Sequence, residues 1–174
     1  MLSRRSILLG GTLAASTVAG ALVTGPLSHT GAVARKRIAV SWEWGGARKN
    51  GYLLQTVLGP DDELALWYAP TYAKGAVETP RKITIDRTLH NELTAEFSDV
   101  TYMIGVHGTA TGEDSAYEMK QVGRNGFNQL QVGDTGTVSV LGDRLYVHSV
   151  DEMSDWSGTS NVRTFSFDRR DDHL

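Results

Sequence analysis

Apolar and polar residues alternate along most of this chain. Ile38, Val40, Trp42 and Trp44 occupy every second position, the two-residue period of a strand with one apolar face. The rhythm returns at Tyr52 to Leu58, Leu64 to Tyr68, Lys82 to Ile85, Val100 to Val106, Phe127 to Val132, Thr137 to Leu141, Leu145 to Val150 and Val162 to Phe167. Gly59-Pro60-Asp61-Asp62 and the segment from Tyr72 to Pro80 read as turn or loop material between runs. The sharpest local signal is Val138 to Val147, two alternating runs around Gly142-Asp143, which predicts a hairpin with a type II′ turn. Asn125-Gly126 and Gly133-Asp134 are further turn candidates.

Helix signals are few. Leu89, Leu93 and Phe97 recur four residues apart after Asp86, a residue suited to an N-cap, so a short helix is expected there, although the same residues fit one face of a strand. Glu113 to Gln121 is a second, weaker helix candidate, with acidic residues placed to favour the dipole at its start. Short strands at spacings of about ten residues therefore predict an all-β fold, an antiparallel β-sandwich or small barrel of roughly 8–10 strands with at most one or two short helices.

The first 34 residues read differently. Ser3-Arg4-Arg5-Ser6-Ile7-Leu8-Leu9 leads into an apolar stretch to about Val23 that contains no acidic residue, and Ala32-Val33-Ala34 offers a small-residue cleavage site. This run resembles a twin-arginine signal peptide, departing from the usual pattern at Ile7 and Leu9. The resemblance implies a bacterial or archaeal source, folding in the cytoplasm, and a secreted or extracytoplasmic protein that meets the membrane only transiently. A retained anchor is the competing reading, but the stretch is weakly hydrophobic and barely reaches the roughly 20 apolar residues of a span. A lipid anchor is excluded, because that route needs a cysteine and the chain has none. Residues 1–34 are thus expected to be the signal and residues 35–174 a single β-rich domain.

The leader holds two of the 17 basic and none of the 20 acidic residues, leaving an acidic body. Within it Arg35-Lys36-Arg37 forms a basic cluster, expected to be a solvated chain end, and nucleic acid, which demands a basic face, is not an expected partner. Without cysteine there are no disulfides, thiolate metal sites or cysteine nucleophiles, so stability rests on packing.

Catalytic signatures are missing. No Gly-x-Ser-x-Gly or Ser-x-x-Lys motif occurs, Ser115 reads as a loop serine, and Gly45 to Gly51 lacks the ending of a phosphate loop and reads as a β-turn. His90, His107, His148 and His173 make no metal-binding spacing. His107 and His148 lie in or beside expected strands, where convergence with Glu113, Asp114 or Asp151 would create a site, and Asp151 to Asp155 packs three carboxylates into five residues, a donor set suited to calcium. The weak metal candidates are therefore His107, His148, Asp151 and Asp155. No cofactor is expected beyond calcium or another divalent metal at those positions.

Aromatic residues carry the remaining signal. Trp42 and Trp44 share one strand face, Trp67 and Tyr68 take opposite faces of another, and Trp156 sits among Ser154, Asp155, Ser157 and Gly158. One or two tryptophans belong in a core of this size. Trp156, Trp44 and Tyr68 are the candidate ligand contacts. The leading reading is a secreted, non-catalytic β-domain that binds a partner protein or a surface saccharide or polymer. The alternatives are a small secreted hydrolase or metal-dependent enzyme using His107 and His148, and an accessory or inhibitor protein for another exported enzyme.

Overall fold

The computed structural model describes residues 28–59, 61–108 and 118–170. Strand β1 spans Ser28–Trp44, β2 Ala47–Leu58 and β3 Leu64–Tyr68; helix α1 (Pro70–Ala73), a 3-10 turn (Lys74–Ala76) and helix α2 (Arg87–Glu96) follow. Then come β4 (Asp99–Gly108), β5 (Met119–Val122), helix α3 (Arg124–Gln129), β6 (Thr135–Leu141), β7 (Arg144–Asp151) and β8 (Ser160–Thr164). The protein is mostly β, as expected. Its eight described strands form one mixed sheet in the order β4-β5-β7-β6-β1-β2-β3-β8.

Two features depart from a purely antiparallel fold. The pairs β5–β7 and β3–β8 are parallel, and each needs a long crossover: α3 and β6 lie between β5 and β7, and most of the chain lies between β3 and β8. Among the described residues there are also three short α-helices, one more than expected.

The long β1 organises the sheet. One of its edges pairs with β4 from Gly31 to Ser41, while the other pairs with β6 over Ser28 to Ala32 and with β2 over Arg35 to Trp44. Since β4 continues through β5 and β7 to β6, the pairings run in a closed circuit of five strands, with β2, β3 and β8 extending from β1. Gly31 permits the crossing, because a Cβ there would lie 1.7 Å from the His107 carbonyl oxygen.

The sheet begins earlier than residue 35. Ser28–Ala34 are the first seven residues of β1, and Val33 and Ala34 are buried. Residues 1–27, which hold the twin-arginine-like run, lie outside the described residues.

Local patterns explain most elements. The β6–β7 hairpin forms where predicted, with Gly142 at φ 60° in the left-handed region that favours glycine. Helix α2 starts at Asp86, whose Oδ1 accepts a hydrogen bond from the Leu89 amide at 2.7 Å. The expected strand at Phe127 to Val132 is instead occupied by the end of α3 and a loop, and Asn125-Gly126 lies inside that helix. Phe127 and Leu130 are both fully buried three residues apart, a spacing that a helical turn satisfies as well as a strand does not. Of the candidate helix at Glu113 to Gln121, residues 113–117 lie outside the described residues, and Met119 to Gln121 belong to β5.

One break in the alternation has consequences. Ile38 pairs with Leu54 but Ala39 pairs with Tyr52, so Leu53 is an extra residue on β2. Leu53 and Leu54 are both fully buried, and the bulge thereby brings Tyr52 and Gln55 to the same face. The core below holds Ile38, Val40, Leu64, Leu66 and Ile104. Of the tryptophans, one or two of which were expected inside, Trp42 is buried, edge-on to Phe97 and Phe167, with Nε1 donating to the Arg169 carbonyl at 2.7 Å.

A chain beginning at Ser28 is expected to melt in one cooperative transition. One beginning at Arg35 loses the whole β1–β6 ladder and the Val33 side chain, whose burial alone contributes about 1.5–3 kcal/mol. Thermal melts followed by circular dichroism compare the two, and equal midpoints would remove Ser28–Ala34 from the fold.

Candidate functional site

The tripeptide Arg35-Lys36-Arg37 is not a solvated end but the centre of β1. Strand alternation sends Lys36 inward, where it is fully buried, and its flanking arginines outward. The Lys36 ammonium donates to the Ile83 carbonyl at 2.8 Å, the Phe127 carbonyl at 2.7 Å and Gln131 Oε1 at 2.9 Å, and lies 4.2 Å from the Phe127 ring centroid. Burial pushes its pKa well below the ordinary lysine value, and the Asp134 carboxylate opposes that shift.

Asp134 is itself buried and accepts from Arg81 Nη2 at 2.6 Å, the Gln131 amide at 2.8 Å and the Met153 amide at 3.1 Å. Arg81 completes the group through the Val132 and Met153 carbonyls. Side-chain amides extend it: Gln131 Oε1 accepts from the Ile83 amide, and Asn128 exchanges two hydrogen bonds with the backbone of Ile85. Here lies the correction for Lys82 to Ile85, expected as a strand. Its alternation is real, with Ile83 and Ile85 fully buried, but among the described residues the segment makes one isolated bridge and is held mainly by side chains in place of a neighbouring strand. With every Lys36 proton donated inside the core, this cluster is structural.

Anchoring Lys36 inward fixes what the other face presents. Register places Arg35, Val57, Ala65 and Asn161 in one row across β1, β2, β3 and β8, and Arg37, Gln55, Trp67 and Arg163 in the next. Arg37 donates to Gln55 Oε1 through both Nε, at 2.9 Å, and Nη2. Its guanidinium lies 5.4 Å from the Tyr52 ring centroid, and Tyr52 meets Phe165 edge-on at 6.0 Å. Burial and then the charge of Arg35 pull the Arg37 pKa down, with Tyr52 opposing. Arg163 is exposed and makes no hydrogen bond or ion pair among the described residues. A shallow depression of about 430 Å³ is lined by Arg35, Gln55, Trp67, Asn161 and Arg163 from these rows, with Asp61 and Glu63 at one end and Arg37 outside its wall.

The aromatic candidates do not converge. Trp44 is 47% exposed at the tip of the β1–β2 hairpin, Tyr68 packs against the core beneath the sheet, and Trp156 is half-buried against the core beside Gly158. Trp67, read as facing away from Tyr68, is the indole that joins the arginines. Sequence reasoning missed this group because the Leu53 bulge and the β3–β8 pairing decide which residues share the face, and neither has a local signature.

The metal candidates are also separated. His107 lies on β4 opposite Ala32 of β1, and exposed His148 lies on β7, its Nε2 2.9 Å from Ser139 Oγ. No pairing joins β4 to β7: β5 stands between them one way, β1 and β6 the other. Asp151 ends β7 opposite Thr135, and Asp155 sits in the following loop. Among the described residues no three His, Asp or Glu side chains are grouped to hold a metal ion. Glu113, Asp114 and Ser115 lie outside those residues. Comparison with protein-family models, curated proteins and solved structures finds no match for this chain.

Lys36→Met is expected to destabilise the fold, because the Ile83 and Phe127 carbonyls lose the lysine donor, at about 1–3 kcal/mol for each group left unsatisfied, while Gln131 Oε1 keeps the Ile83 amide. The wild type should also carry a pH signature. Since the folded-state pKa is depressed, the unfolded chain binds more protons between that value and the ordinary lysine value, so this residue's contribution to stability rises with pH across that window. Denaturant titrations across alkaline pH should show that rise in the wild type relative to Lys36→Met, and parallel pH profiles would refute it.

Proposed function

We propose that this is a secreted, non-catalytic binding domain that holds an extended anionic saccharide along the outward face of β1, β2, β3 and β8. The observation that carries the reading is the row Arg37, Gln55, Trp67 and Arg163. Neighbouring strands lie about 4.8 Å apart, so the two guanidinium-bearing strands at its ends are separated by about 14 Å, a span for several units of a polymer.

Each member has a suitable chemistry. Arginine presents a planar fork that matches carboxylate, sulfate or phosphate oxygens, whereas lysine offers a point charge; Arg163 offers that fork whole, and Arg37, which gives Nε and Nη2 to Gln55, adds positive charge and Nη1. Trp67 supplies a flat apolar surface for a sugar ring, and Gln55 Nε2 and the Asn161 amide offer hydrogen-bonding groups for hydroxyls. The depression is shallow and open to solvent, which suits a polymer lying across the sheet. We infer further that the five-strand circuit is a small closed barrel, leaving the β2–β3–β8 extension as the outer platform. The export reading of the twin-arginine-like run at Ser3 to Leu9 agrees with a ligand outside the cell.

Affinity electrophoresis in gels containing polygalacturonate, dextran or single-stranded DNA tests the proposal. Polygalacturonate should retard the domain in a salt-sensitive manner, dextran should not, and DNA should retard it less. Replacing Arg37 and Arg163 by Gln together, or Trp67 by Ala, should weaken retardation at least about tenfold, equivalent to about 1.4 kcal/mol, while Trp156→Ala leaves it unchanged. Retardation that survives the double arginine substitution, or stronger binding to DNA, would overturn this assignment.

A further inference from the structure

A second arginine pair lines a larger cleft on another part of the molecule. The cleft, about 720 Å³, lies where the start of β4, the end of β5, the first turn of α3 and the start of β7 meet, with His90 of α2 at its wall. Its volume falls within the range of about 300–1,000 Å³ typical of small-molecule sites. Arg124 and Arg144 both line it, and neither makes a hydrogen bond or ion pair among the described residues. Asp99 is the one carboxylate in the wall, 3.9 Å from Arg48. The cleft therefore carries a net positive charge.

Its inner wall includes a packed and hydrogen-bonded pair. His90 Nδ1 and Tyr102 Oη are 2.8 Å apart, Tyr102 is 5% exposed, and its ring packs on Phe127 at 5.3 Å. Burial pushes the Tyr102 pKa up to about 12, with Arg124 opposing, so the phenol keeps its proton and remains a neutral hydrogen-bonding group. Gln121 and Gln129 bring further amide donors to the wall.

We propose that this cleft is a binding site for a small organic oxyanion, a carboxylate or phosphate clamped between Arg124 and Arg144 and seated on the His90–Tyr102 pair. The site is independent of the saccharide face, since the two share no residue. Two guanidinium groups in the wall of one cleft suit a compact ligand bearing more than one anionic oxygen, and their charge argues against an apolar one.

The test is a titration of the 15N-labelled full chain with citrate, with inorganic phosphate and with neutral glycerol, read by amide chemical shifts. Saturable shifts at Gln121 to Gly126 and Arg144 to Val147 are expected at millimolar citrate or below, with phosphate deciding whether a single phosphate group suffices and glycerol producing none. Arg124→Gln with Arg144→Gln should weaken citrate binding at least about tenfold while leaving the melting midpoint unchanged, and Arg37→Gln with Arg163→Gln should leave citrate binding unaltered. Restoring charge with Arg124→Lys and Arg144→Lys should recover part of the affinity. Absence of saturation by both anions, shifts confined to the β1–β2–β3–β8 face, or full binding by the double glutamine variant would each overturn the site.

Discussion

A single buried ammonium sets the phase of this sheet. Lys36 sits in the middle of the strand that contacts β2, β4 and β6, and a charge taken from water is tolerated only if fully hydrogen-bonded. Its acceptors come from three places distant in sequence, the Ile83 carbonyl, the Phe127 carbonyl on α3 and Gln131. Those partners are positioned by Asp134 and Arg81, so the cost of burying the charge is offset by tying a loop, a helix and the central strand together. A slip of one residue in β1 would turn Lys36 to solvent and drive Arg35 and Arg37 into the core. The register that builds the interior is thus the same one that creates the outer arginine row.

Where local chemistry decides structure, the sequence was legible. The β6–β7 hairpin needs a glycine that accepts positive φ between two alternating runs, and α2 needs a capping carboxylate ahead of an i, i+4 apolar spacing; both were readable from a few adjacent residues. Where structure depends on partners far along the chain, the pattern misled. Lys82 to Ile85 alternates because its isoleucines face the core, yet Asn128 and Gln131 supply hydrogen bonds that a strand would draw from a neighbour. The run at Phe127 to Val132 failed for another reason: five or six apolar-rich residues satisfy a helical turn and a strand alike, and burial of Phe127 and Leu130 selects the turn.

The candidate sites were less legible than the fold. A basic tripeptide reads as a flexible end because lysine is rarely buried, so nothing in Arg35-Lys36-Arg37 alone shows that its middle residue is a core group. Trp156, Trp44 and Tyr68 drew attention through their neighbours in sequence. The structure instead groups Trp67 with arginines from β1 and β8, brought together by a two-leucine bulge and a parallel pairing across most of the chain. Arg124 and Arg144 had no signal of their own, since their meeting depends on the β5–β7 pairing.

A chain with more acidic than basic residues can still present cationic sites, because at physiological salt charges more than about 8 Å apart are largely screened. Attraction of an anion to either arginine group is then decided by the groups in contact with it, and the overall negative charge works against long-range capture without cancelling short-range pairing. Asp61 and Glu63 sharpen this on the sheet face, since they stand at one end of the depression and would repel an anionic polymer laid past that end. A bound chain would accordingly be held toward the Arg37 and Arg163 row, where guanidinium forks flank an indole, and a polymer with regularly spaced carboxylates would be distinguished from a neutral one by direct pairing. The cleft differs in volume rather than in sign, about 720 Å³ against about 430 Å³. If both proposed sites hold, the same residue type would select for length on one surface and for a compact anion on the other.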